Sequence, residues 1–115
     1  MTVYKFTKTI SLKTKKDIDS EILADIVDQA EDAAYKTLLN EVSRRYIGFI
    51  VDSEITTFTT NGRQTLKIEL TIDMDISPLI EKVAEQDRIA EEIANAFFGV
   101  VEKEIRKLLE KTDRQ

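Results

Sequence analysis

A chain of 115 residues, 42% hydrophobic and 34% charged, has the size and composition of one globular domain spanning 1–115. Cysteine and histidine are both absent, which excludes disulfides, thiolate–zinc sites, thiol nucleophiles and imidazole-based triads but leaves carboxylates for an Asp/Glu enzyme or a hard-metal site. A formal charge of −5 argues against strong nonspecific nucleic-acid binding, no apolar run reaches the ~20 residues of a membrane span, and the alternating start MTVYKFTKTISLK is unlike a signal peptide, so a cytoplasmic protein is expected.

The first strand is expected over 3–12. Tyr4, Phe6, Ile10 and Leu12 share one face, and Lys5, Thr7, Thr9 and Ser11 the other. Lys8 interrupts the apolar face, as in an edge strand or a bulge. Lys5, Lys8, Lys13, Lys15 and Lys16 fall within the first sixteen residues, which hold no acid. The bland reading is a lysine-protected strand edge. The sharper one is a small basic patch that contacts RNA or an acidic partner.

A helix is expected over 18–43, capped by Asp17, with Asp19 and Glu21 in its first turn. Ile18, Ile22, Ile26, Ala30, Ala33, Ala34, Leu38 and Val42 recur at helical spacing, and Leu23 and Val27 widen the stripe. The three alanines thin the middle of the helix, so another element can approach closely there.

Asn61-Gly62 lies between two β-like runs and suits a two-residue type I′ turn. That turn makes paired residue numbers sum to 123, so Leu66 faces Thr57, Ile68 faces Ile55, Leu70 faces Ser53, Ile72 faces Val51 and Met74 faces Phe49. The other face sets Glu54 opposite Glu69, a like-charge pair that a lysine from the first strand would offset. Ile50 and Phe58 also point to this polar, threonine-rich face. They are either stray surface apolars or contacts for a partner.

Ser77-Pro78 signals a helix start. Leu79, Ile80 and Val83 make one short apolar turn, Gln86 and Asp87 interrupt it, and Asp87 is expected to cap a second helix over 88–111. That helix has two apolar stripes, one through 89, 93, 97, 100 and 108, the other through 94, 98, 101, 105 and 109. A sheet covers one stripe. The second is covered either by the first helix or by a partner protein, which makes Ala94, Phe98, Val101 and Ile105 candidate partner-binding residues. Gly99 costs about 1 kcal/mol against Ala in mid-helix, and close helix approach is the expected reason for it.

The order β-α-β-β-α fits an α+β two-layer sandwich, a three-stranded antiparallel sheet with both helices on one face. Nothing in the sequence marks an active site. Gly48, Gly62 and Gly99 form no phosphate-binding loop or Gly-x-x-Gly RNA loop. Asp52, Asp73 and Asp75 read as a solvated strand end in preference to a cation site. No catalytic residue, metal or cofactor is expected.

The run IVDSEITTFTTNGRQTLKIELTIDMDISPLI, then AEEIANAFFGVVEKEIRKLLE, with ILADIVDQAEDAAYKTLL before them, resembles a small uncharacterised archaeal family. The β-α-β-β-α order resembles the Pcc-type subunits of the KEOPS complex, which installs the threonylcarbamoyl group of N6-threonylcarbamoyladenosine on tRNA. The resemblance implies a second, Pcc-like paralogue: a non-catalytic subunit in a heterodimer with a Pcc-type subunit, or a homodimer, touching RNA only within a complex. The chain departs from short Pcc proteins in its longer first helix and in the segment 80–87. A direct RNA-binding module using the basic first strand is the alternative.

Overall fold

The computed structural model describes residues 2–12, 17–42, 47–76 and 83–113. The elements run β1 (Thr2–Ser11), α1 (Ser20–Val42), β2 (Ile47–Thr60), β3 (Arg63–Ile76) and α2 (Val83–Asp113). Both neighbours of β3 are antiparallel to it, giving the strand order β1-β3-β2, and the helices cover one face. The expected α+β sandwich is the fold.

Asn61 and Gly62 both have positive φ, 53° and 76°, the signature of a type I′ turn whose twist matches the strands it joins. The register follows from it: Thr57 pairs with Leu66, Ile55 with Ile68, Ser53 with Leu70, Val51 with Ile72 and Phe49 with Met74. The alternation of β3 then decides which face is inside. Leu66, Ile68, Leu70, Ile72 and Met74 are all fully buried, as expected for the central strand beneath two helices.

β1 is an edge strand without a bulge, in unbroken register from Thr2 opposite Met74 to Ser11 opposite Thr65. Its inward Lys8 forms an ion pair with Glu102 of α2. The offset to the Glu54–Glu69 pair comes from β3, not from the first strand as expected: Lys67 Nζ lies 3.2 Å from Glu69 Oε1.

The N-cap of α1 is Asp19, not Asp17. Its carboxylate accepts from the Glu21 N–H at 3.3 Å, and its carbonyl accepts the first helical bond, from the Leu23 N–H at 3.0 Å. Asp17 stands too early because the chain before the helix is held by Gln64. The buried Gln64 side chain accepts from the Ile18 N–H at 2.7 Å and donates to the Ile18 carbonyl at 3.4 Å. The Gln64 carbonyl also accepts from the Leu12 N–H at 2.9 Å. One residue thus ties the end of β1 and the approach to α1 to the head of the hairpin.

The break expected at Gln86-Asp87 does not occur: α2 is continuous from Val83 to Asp113. A lapse in apolar periodicity at Gln86-Asp87 does not stop the helix, because its backbone bonds do not depend on apolar spacing and no Gly or Pro stands at the lapse, and Arg88 and Glu92 bridge adjacent turns at 2.7 Å. Ser77-Pro78 and most of the expected short turn lie outside the described residues. Asp87 is not a cap. Its carboxylate accepts the Tyr4 hydroxyl at 2.7 Å, pinning α2 to β1.

Candidate interaction site

The sequence suggested three candidate surfaces. On the helix face, Ala94, Val101 and Ile105 are buried in the chain's own core. These three are thus covered within the chain without a partner, correcting their assignment as a free contact surface. Phe98 is half-buried, edge-on to Phe97 with ring centroids 5.2 Å apart. It walls an open groove of about 460 Å³ beside β1, together with Phe6, Thr7, Lys8, Glu91, Ala94 and Asn95. A Cβ built at Gly99 meets nothing within 4 Å among the described residues. The close approach expected at Gly99 does not occur among them.

On the open sheet face, Ile50 and Phe58 are both exposed, at 65% and 46%. They lie about 27 Å apart along β2 and make no common patch. Phe58 pairs with the buried Thr65. Ile50 has a companion that the sequence reading missed, the exposed Val3: the row Val3–Asp73–Ile50 crosses the sheet, and Asp73 Oδ1 is buried there without a hydrogen-bond partner. No carboxylates gather into a possible metal site among the described residues. The Asp75 side chain lies outside them.

The basic strand does not form a patch among the described residues. Lys5 is exposed on the open face, in the same row as Asp52, with Thr71 between them. Lys8 points to the helix side and is engaged by Glu102. Lys13, Lys15 and Lys16 lie outside the described residues.

The sheet edges separate more sharply. In an antiparallel ladder, bonded pairs alternate with unbonded ones, and residues in unbonded pairs turn their N–H and C=O groups away from the partner strand. A type I′ turn closes on the bonded pair Thr60–Arg63. On β2, therefore, Val51, Ser53, Ile55, Thr57 and Thr59 turn their backbone groups outward. The Tyr35 hydroxyl of α1 donates to the Val51 carbonyl at 3.4 Å. Among the described residues, no hydrogen bond reaches the outward backbone groups of Ser53, Ile55, Thr57 or Thr59.

These residues send their side chains toward the helices. Ser53 bonds Glu31 of α1. Ile55 and Thr57 face Ser20, Leu23, Ala24, Val27 and Asp28 across an open, mainly apolar groove of about 350 Å³. Its origin is geometric. Two helices side by side are about 20 Å wide, whereas three strands span roughly 14 Å. The outer flank of α1 overhangs β2, leaving space where a fourth strand would lie. The wide α1 stripe at Leu23 and Val27 was the sequence signal for this groove.

The edges are guarded differently. Edge strands avoid unwanted pairing by inward charges, prolines and bulges. β1 carries the inward Lys8. β2 is longer, has no proline or bulge, and its inward residues at 51, 53, 55 and 57 are Val, Ser, Ile and Thr.

No protein-family model and no curated protein matches the chain. A crystal structure from Thermococcus onnurineus NA1 is similar over 96% of this chain and 99% of that one, with a TM-score of 0.65 at 16% sequence identity, a likeness of fold alone.

Proposed function

We propose that the protein is a non-catalytic interaction subunit that joins another protein through its sheet. The supporting observation is the β2 edge: outward backbone donors and acceptors at Ser53 to Thr59, no inward charge, proline or bulge, and an apolar groove alongside. Strand addition at such an edge supplies main-chain hydrogen bonds for affinity and side-chain pockets for specificity. The concrete assembly follows from the sequence resemblance: a Pcc-like accessory subunit of the archaeal KEOPS complex, paired with a Pcc-type subunit and acting in tRNA N6-threonylcarbamoyladenosine synthesis.

Sedimentation of the purified chain, alone and mixed with an archaeal Pcc-type subunit, tests this. The expected result is a stoichiometric complex. A chain that stays monomeric with every KEOPS component refutes the assembly. A salt titration of tRNA binding by the isolated chain addresses the RNA-binding alternative, which requires tight binding that falls steeply with salt.

A further inference from the structure

Resting on that reading of the chain as an interaction subunit, we infer that the β2 groove takes a basic β-strand of the partner protein, with an apolar side chain seated between Leu23, Val27 and Ile55. Position comes from the ladder. A strand laid against β2 meets the outward backbone groups of Ser53, Ile55, Thr57 and Thr59, and its helix-facing side chains enter the space under the α1 overhang. The lining there is mainly apolar, so an aliphatic side chain fits.

Charge identifies the rest of the strand. Asp28 of α1 lines the groove and Glu31 of α1 bonds Ser53 at its edge, while Asp52 and Glu54 lie on the open face of β2, so acids stand on both sides of the docked strand. Lys36 is the sole cation of the two elements among the described residues. An acidic strand would meet like charge along its length, whereas lysine or arginine at alternate positions would face carboxylates. The opposite edge selects against the same ligand, because inward Lys8 occupies the groove beside β1.

The test uses labelled short peptides and the intact chain, read by fluorescence anisotropy and amide chemical shifts. A peptide of alternating lysine and valine should bind and shift the amides of residues 53–59. Peptides of alternating glutamate and valine, or lysine and serine, should bind at least tenfold more weakly. Thr57→Pro removes an outward N–H without breaking a ladder bond, and Ala24→Arg fills the groove from an exposed position. Each should weaken binding about tenfold or more. If Thr57→Pro does not fold, Ala24→Arg alone decides.

Equal binding of the lysine–serine peptide, shifts confined to β1 or the open face, or undiminished binding by folded variants would overturn the inference. A Pcc-type subunit that binds wild type and Ala24→Arg equally would leave the subunit reading intact and remove this groove from it. Peptide binding without any Pcc-type complex would keep the groove and discard the KEOPS assignment.

Discussion

Replacing Gly99 by alanine should stabilise the isolated chain. Gly99 lies in the interior of α2, its φ is not positive, and an added methyl meets nothing within 4 Å. The substitution therefore removes only backbone freedom from the unfolded chain, worth about 0.5–1 kcal/mol. The unfolding entropy of a chain this size is roughly 0.24 kcal/mol/K, taking about 2.1 cal/mol/K per residue, so the melting temperature should rise by about 2–4 °C. Thermal melts followed by far-UV circular dichroism, at matched protein concentration, measure it. A fall in melting temperature would refute the reasoning, since it would require a neighbour against position 99 within the fold. A variant that melts higher alone but binds its partner less well would place that neighbour on the partner.

Gln64→Leu keeps volume but leaves the Ile18 backbone groups unpaired, so it should cost about 1–3 kcal/mol in urea unfolding; a neutral result would show that the clasp is not structural. Phe97→Ala, at a fully buried position, should cost about 3–5 kcal/mol, whereas Phe58→Ala, at an exposed one, should cost well under half of that, and equal losses would contradict the burial pattern. Tyr4 is pushed up to about 12 by burial, then by its hydrogen bond to Asp87 and the charge of that carboxylate. Its folded value exceeds the unfolded 10.0, so its contribution to stability is complete below pH 10 and is lost as pH rises through about 12. Ultraviolet titration should show a late phenolate that Tyr4→Phe removes; if every tyrosine ionises near 10.0, the contact with Asp87 is absent in solution.

The hairpin was legible because its determinants are local. A turn pair that demands positive φ and an alternation matched across it leave a single register that buries β3. The helices were legible as apolar stripes, but their ends and divisions were not. Asp17 and Asp19 look alike as caps until Gln64, distant in sequence, fixes the approach to α1. Gln86-Asp87 looks like a break only if apolar spacing is equated with continuity of the helix, whereas the backbone hydrogen bonds run on through polar residues. The candidate site was less legible still. Ala94, Val101 and Ile105 show the same apolar spacing whether the chain's own core or a partner covers them, and the β2 groove depends on the width of one layer relative to another. The signals that did exist were a buried-face glutamine beside a turn and the widened stripe at Leu23 and Val27.

The strand order β1-β3-β2 has a consequence for synthesis. β1 leaves the ribosome well before β3, yet β3 is its only strand partner among the described residues, where Ser11 meets Thr65 and Thr2 meets Met74. With translation at about 5–20 residues per second, the roughly sixty intervening residues take about 3–12 s. For that time the nascent chain carries an alternating apolar strand with nothing to pair with, the kind of segment that recruits a neighbouring nascent chain. Lys8, charged in the middle of the strand's apolar face, breaks that face while β1 waits and finds Glu102 only when α2, made after all three strands, closes over the finished sheet.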